Sequence, residues 1–303
     1  MEKLIIDAHS HLWLNQDTVV DNQRICQLEP NRSRSLFFGE ERQMLPPYMI
    51  DGQNTAERFL SNMDYAQVAA AVVTQEFIDG IQNSYLIQVA NRYPDRFFTF
   101  GMLDYRHAGF MGVASSVVDA FKGIKIPAAR LPQQFLTDEM MQLMHMLEEK
   151  GKILGIELQD GDAQVGQMEE IIQECPNLKV AIGHFGMVTR PGWMEQIKLA
   201  RHENVFIESG GITWLFNDEF YPFPSAIRAI KEAADEVGME KLMWGSDYPR
   251  TITAITYKMS YDFVEKSTEL TADEKRLFLG ENAKKFFGFG ELPDLPYIKN
   301  MSE

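Results

Sequence analysis

Two patterns alternate along the chain. Short apolar runs of strand character recur eight times, at residues 4–12, 68–73, 97–103, 123–127, 153–159, 178–184, 205–209 and 242–245. Between them lie segments with helical spacing, among them 55–65, 81–93, 109–120 and 137–150, and a last one at 272–287. Asn54 is a plausible cap for the first helix, and Pro94 ends the second. Thr137 caps the fourth, with Asp138 and Glu139 in its first turn and Gly151 as its stop. Strands alternating with helices of this length predict parallel pairing. Eight such units in a chain of 303 residues predict an α/β fold of the (β/α)8 barrel type. The competing open, doubly wound sheet would place a glycine-rich phosphate turn after its first strand. Here that place holds His9-Ser10-His11.

One stretch breaks the pattern. Residues 14–53 carry Arg24, Arg32, Arg34, Arg42 and the pair Pro46-Pro47, with little sustained periodicity. They are expected to form a long inserted loop after the first strand, serving as a lid or binding loop, with an interface arm as the alternative. No Gly/Pro/Ser-rich linker, internal repeat or low-complexity tract divides the chain, so one domain over 1–303 is expected.

Composition narrows the partners. The formal net charge of −15 argues against nucleic acid and anionic membrane surfaces, which need clustered positive charge. A small anionic substrate stays possible, because it feels the local field of its pocket. Cys26 and Cys175 are the only cysteines, too few for a disulfide framework. With no signal-peptide pattern and no apolar run near the ~20 residues that span a bilayer, a soluble cytoplasmic protein is expected. The seventeen methionines read as core filler.

The chemistry gathers at strand ends. On an extended strand His9 and His11 share a face, about 7 Å apart, where their imidazoles can converge on one divalent ion. By the same parity Ile5 and Asp7 share that face. In a barrel the reactive groups collect at the C-terminal ends of the strands. Those ends present Lys125, then Glu157 and Gln159, then His184, then Glu208 or Ser209, and finally Asp247, Tyr248 and Arg250. Parity alone leaves the choice between Glu208 and Ser209 open. His145 and His202 read as helix-surface or packing residues. His107, with Tyr105 and Arg106, could reach the pocket or lie on the surface.

The stretches "IDAHSHLW", "FKGIKIP", "CPNLKVAIGHFG" and "KLMWGSDYP" resemble the amidohydrolase superfamily. Within it they are similar to the amidohydrolase-related branch of metal-dependent decarboxylases, lactonases and hydratases. The resemblance implies that His9 and His11 are metal ligands and that Asp247 binds the metal and takes the proton of a bound water. It implies an acid or electrostatic role for His184. One match fails: the branch usually has a metal-binding histidine on the fifth barrel strand, which here reads "KILGIELQDGD". Glu157 falls nearest that position and is the expected fourth ligand, for zinc or alternatively manganese. Some lactonases of the branch also lack the full ligand set. Lys125 is expected to orient an anionic substrate or to pair with Glu157, in preference to carrying a carbamate. Arg250 and Tyr248 are expected to bind substrate, Arg250 through a carboxylate.

The expected activity is metal-dependent hydrolysis of a small, anionic lactone or amide. Decarboxylation of an aromatic or unsaturated acid on the same scaffold is the alternative. A barrel that binds a metabolite without turning it over is the third, supported by the altered fifth strand. The expected partner is a small-molecule substrate, with a homodimer possible.

Overall fold

The computed structural model describes residues 3–301. Met1, Glu2, Ser302 and Glu303, at the ends of the expected domain span, lie outside the described residues. In chain order the strands are β1 (Ile6–His11), β2 (Asp17–Val20), β3 (Gln23–Gln27), β4 (Arg34–Phe37), β5 (Glu40–Gln43) and β6 (Ala70–Thr74). They continue as β7 (Phe97–Met102), β8 (Gly123–Pro127), β9 (Ile153–Glu157), β10 (Lys179–Ile182), β11 (Val205–Glu208) and β12 (Leu242–Met243).

The eight apolar runs of the sequence become β1 and β6 through β12, paired in that order and all parallel. The ring closes through residues just beyond β12. Ala8 N donates to Trp244 O at 2.8 Å, His11 N to Tyr248 O at 2.7 Å, and Asp247 N to His9 O at 2.9 Å. The fold is therefore a (β/α)8 barrel, and these bonds exclude an open sheet. Helices such as Ala56–Tyr65 and Asp138–Glu149 cover its outside. Thr137 caps the second of these as expected, accepting from Met140 N at 3.2 Å. The first is capped by Thr55 and not by Asn54. Asn54 instead donates its side chain to His11 O at 2.6 Å, anchoring the end of β1.

Two apolar layers hold the barrel. Inside its lower half Ile6, Ala8, Val72, Phe98, Phe100 and Met243 pack together, joined by Phe286 and Phe287 of the last helix, Asn282–Phe287. Phe100 fits because Gly123 leaves room: a Cβ there would stand 2.6 Å from its ring. Outside, residues such as Ile5, Phe59, Ile124 and Ile207 fill the space between strands and helices. Burying each such side chain contributes about 1.5–3 kcal/mol.

A register shift in β1, between Asp7 and Ser10, corrects the parity expected from sequence. Asp7 does not share the histidine face. It accepts hydrogen bonds from Ser246 Oγ at 2.5 Å and Tyr257 Oη at 2.8 Å in the outer layer, and burial pushes its carboxyl up to about 7. The shift lets Ala8 join the barrel floor while His9 and His11 still point inward.

Residues 14–53 are not the irregular loop expected. Strands β2-β3-β4-β5 form a four-stranded antiparallel sheet. Its outer hairpins turn at Asp21-Asn22 and Phe38-Gly39, with φ of 49°, 59°, 49° and 82°. Two residues at positive φ make the turn whose twist suits a tight hairpin. The strands escape a periodicity search because each has only four or five residues and most of those are exposed or half-exposed. Among the described residues no helix is long and apolar enough to cross a membrane.

Candidate metal and catalytic site

His9 and His11 end β1 with their Nε2 atoms 3.0 Å apart. Asp247 meets them from the other side of the closure, its Oδ1 3.1 Å from His11 Nε2 and 3.6 Å from His9 Nε2. All three are buried. Asp247 sits at φ 57° and His184 at φ 55°, a region that few non-glycine residues occupy. Backbone outliers of this kind cluster at functional sites, and here they aim two side chains inward at strand ends.

Each histidine is braced from behind by a carboxylate. Glu208 Oε1 lies 2.6 Å from His9 Nδ1, which settles the open choice on β11. Ser209 faces away and accepts from Gly245 N at 3.1 Å. Asp79, in the turn Phe77–Asp79 after β6, places Oδ2 2.8 Å from His11 Nδ1. Sequence reasoning misses Asp79; its one signal is a carboxylate just past the end of a barrel strand. Gly210 and Gly245 leave room for this packing, since a Cβ on either would stand 2.7 Å from a side-chain atom of His9.

This arrangement fits a divalent cation. A carboxylate oxygen this close to Nδ1 calls for a proton between them, so Nε2 is the nitrogen each ring has left to offer an ion. Those two nitrogens converge with Asp247 Oδ1, which is buried and makes no well-angled hydrogen bond. Two imidazole nitrogens and a carboxylate oxygen facing one point call for a cation or a shared proton among them. The nitrogen and oxygen donors suit zinc or manganese. Asp247 Oδ2 is fixed separately, accepting from Trp214 Nε1 at 2.8 Å.

A second charged group adjoins the first. Glu157 Oε1 is 2.7 Å from Lys125 Nζ and 3.2 Å from His184 Nε2, but 3.9 Å from His9 Nε2. Burial opposes its charge, yet Lys125 and His184 hold its carboxyl well below the usual range. Burial likewise opposes a charged His184, but Glu157, with Asp247 and Glu208 beyond it, outweighs this and lifts the imidazole to about 9. His184 is thus protonated near neutrality, and its Nδ1 donates to Gly210 O at 2.8 Å. Burial also opposes a charged Asp247, which His11 and Arg250 nevertheless keep well below the usual carboxylate range. Arg250 itself donates from Nη2 to Asp79 Oδ1 at 2.6 Å and reaches Asp247 Oδ1 at 3.6 Å.

A cavity of about 680 Å³ opens above these groups. His11, Glu157, His184, Asp247 and Arg250 line its inner part, and Phe37, Arg42 and Met44 of the inserted segment line its rim. Lys125 stands behind Glu157, almost fully buried. Tyr248 is a correction: it does not face the cavity. The backbone turns at Asp247, and Tyr248 stacks outward on Phe59, with ring centroids 4.1 Å apart. His107 lies on the surface near Asp104, at 3.4 Å. His202 pairs with Glu169 at 2.9 Å, and His145 lies 3.5 Å from Cys175 Sγ; neither lines the cavity.

Comparison with known proteins adds the family. The sequence profile of the amidohydrolase family matches residues 6–289. No curated protein matches the chain. Among solved structures, the chain is similar to a probable 2-pyrone-4,6-dicarboxylic acid hydrolase from Acinetobacter baumannii with citric acid bound. Identity is 19%, coverage 94% of this chain and 99% of that one, and the TM-score 0.69. An amidohydrolase from Burkholderia multivorans with bound zinc shares 16% identity over 96% of this chain and 100% of that one, with a TM-score of 0.68. A 5-carboxyvanillate decarboxylase from Novosphingobium aromaticivorans, complexed with manganese, shares 18% identity over 77% of this chain and 80% of that one, at a TM-score of 0.52. At these identities the structures establish the fold alone, while the profile spans nearly the whole barrel. The chain belongs to the amidohydrolase family.

Proposed function

We propose that this protein is a metal-dependent hydrolase of a small, anionic lactone or amide, built as one domain. The observation that carries the proposal is the convergence of His9 Nε2, His11 Nε2 and Asp247 Oδ1 beside His184 and Arg250 at the base of one cavity. His9, His11 and Asp247 would hold the ion, zinc by preference and manganese as the alternative. The zinc and manganese of two relatives support a metal in this family. A divalent ion at such a point lowers the pKa of a water and polarises a carbonyl. Asp247 Oδ1, its partner oxygen held by Trp214, accepts the proton of the attacking water. His184 Nε2, protonated, donates to the departing oxygen or nitrogen and offsets charge developing there. Glu157 balances Lys125 and His184, so its role is to keep His184 charged more than to complete the ligand set. Arg250 and, from the rim, Arg42 orient the anionic group of the substrate. Cys26 and Cys175, both unpaired, support a cytoplasmic setting.

Decarboxylation is the second reading, favoured by the same protonated His184, which could equally deliver its proton to carbon. The test is a panel of sugar and pyrone-type lactones and aromatic acids, offered to protein loaded with zinc or manganese. Ring opening without carbon dioxide supports the hydrolase. Carbon dioxide release transfers the assignment to a decarboxylase, and binding without turnover across the panel supports the metabolite-binding barrel.

A further inference from the structure

We propose that Asp79 is a positioning residue that ties the inserted sheet to the metal pair and to the substrate-binding arginine at once. The inference rests on the metal reading above. Asp79 is buried; its Oδ1 accepts hydrogen bonds, while its Oδ2 is in close contact with His11 without a well-angled hydrogen bond. Oδ2 lies 2.8 Å from His11 Nδ1, while Oδ1 accepts from Arg250 Nη2 at 2.6 Å and from Gln16 Nε2 at 3.2 Å. Gln16, also buried, precedes β2, and its Oε1 accepts from Ser35 Oγ of β4 at 2.9 Å. An unbroken polar chain therefore runs from Ser35 through Gln16 and Asp79 to His11.

Three consequences follow from this geometry. A carboxylate at Nδ1 fixes the histidine tautomer, orients the ring and makes Nε2 a stronger donor. The same carboxylate takes the closer contact with Arg250, at 2.6 Å against 3.6 Å for Asp247, and so shares the arginine's charge with the proposed ligand. Gln16 adds a buried amide whose desolvation is tolerable only because both its ends are bonded, so the sheet and the turn carrying Asp79 are held in one arrangement. Glu208 braces His9 in the same way, but it stands on a barrel strand, and none of its hydrogen bonds leads to the insertion. The inserted sheet thus acts on the metal pair through His11.

The test is zinc affinity of metal-free protein, measured by competition with a chromogenic chelator, for wild type, Asp79→Asn, Asp79→Glu and Gln16→Met. Asp79→Asn should weaken zinc binding about tenfold or more, with part of the loss restored in Asp79→Glu. Gln16→Met, which keeps the side-chain length but removes the donor, should weaken it by about threefold or more. The melting temperature of the metal-free variants separates this from general damage, because a merely structural role would lower it without changing affinity. Weakening of less than about threefold in Asp79→Asn overturns the inference. If that variant does not fold, Gln16→Met decides at the same threshold. A wild type that binds neither zinc nor manganese overturns the metal reading, and this inference with it.

Discussion

The two ends of the barrel follow different rules. At the lower end Phe98, Phe100, Phe286 and Phe287 meet in an apolar floor, with ring centroids 4.9 to 6.2 Å apart. At the mouth His9, His11, Lys125, Glu157, Glu208 and Asp247 are all buried, and each is within reach of an opposite charge or an imidazole. The floor gains free energy from every atom it removes from water. The mouth keeps charges in a place where an unpaired one would be very costly. Stability therefore resides mainly below and chemistry above, and substitutions at the two ends should separate the two properties.

The largest expected effect is at the mouth. Asp247→Asn should lower kcat/KM by about 10³-fold in steady-state kinetics, since it removes a ligand and a base together. Its melting temperature should fall somewhat, because the folded state favours the charged Asp247, but the variant should remain folded at the assay temperature. At the floor, Phe100→Ala should lower stability by about 3–5 kcal/mol in denaturant titration, with kcat unchanged well below the transition. An Asp247→Asn protein that unfolds, or a Phe100→Ala protein that folds stably but is inactive, would break the contrast.

The pH profile sharpens it. His184 is raised from 6.5 to about 9, so its charge stabilises the fold fully below 6.5, and that contribution is lost as pH rises through 9. Activity that depends on its proton should fall on an alkaline limb at or below about 9, since a bound dication draws the value down. His184→Asn should abolish that limb. The smallest effect expected is in Arg250→Lys, which should raise KM roughly tenfold through loss of a bidentate charge-assisted contact, with kcat changed less. An unchanged KM would remove Arg250 from the substrate site.

Much of this was legible along the chain, for physical reasons that differ by element. The barrel strands read clearly because both faces are buried, which makes them continuous apolar runs such as Val68–Val73 or Ile153–Ile156. The histidine pair and Asp247 stood out because polar side chains at the ends of such runs are expensive unless used. The inserted sheet did not show, because its short, exposed strands lack an apolar face; the hairpin residues Asp21-Asn22 and Phe38-Gly39 were its one local trace. Asp7 was misplaced by a bulge in β1 and Tyr248 by the turn at Asp247, two backbone irregularities that simple alternation cannot foresee. Asp79 lay hidden in a short turn, where only tertiary contact gives it meaning.

The central claim is that His9, His11 and Asp247 hold a divalent ion. Elemental analysis of protein purified without chelator, and again after equilibration with zinc or manganese, tests it most directly when wild type is set beside His9→Asn/His11→Asn. The account predicts about one ion per chain in the wild type and loss of that ion in the double variant. Equal metal content in the two proteins, or none in the wild type after equilibration, would contradict it.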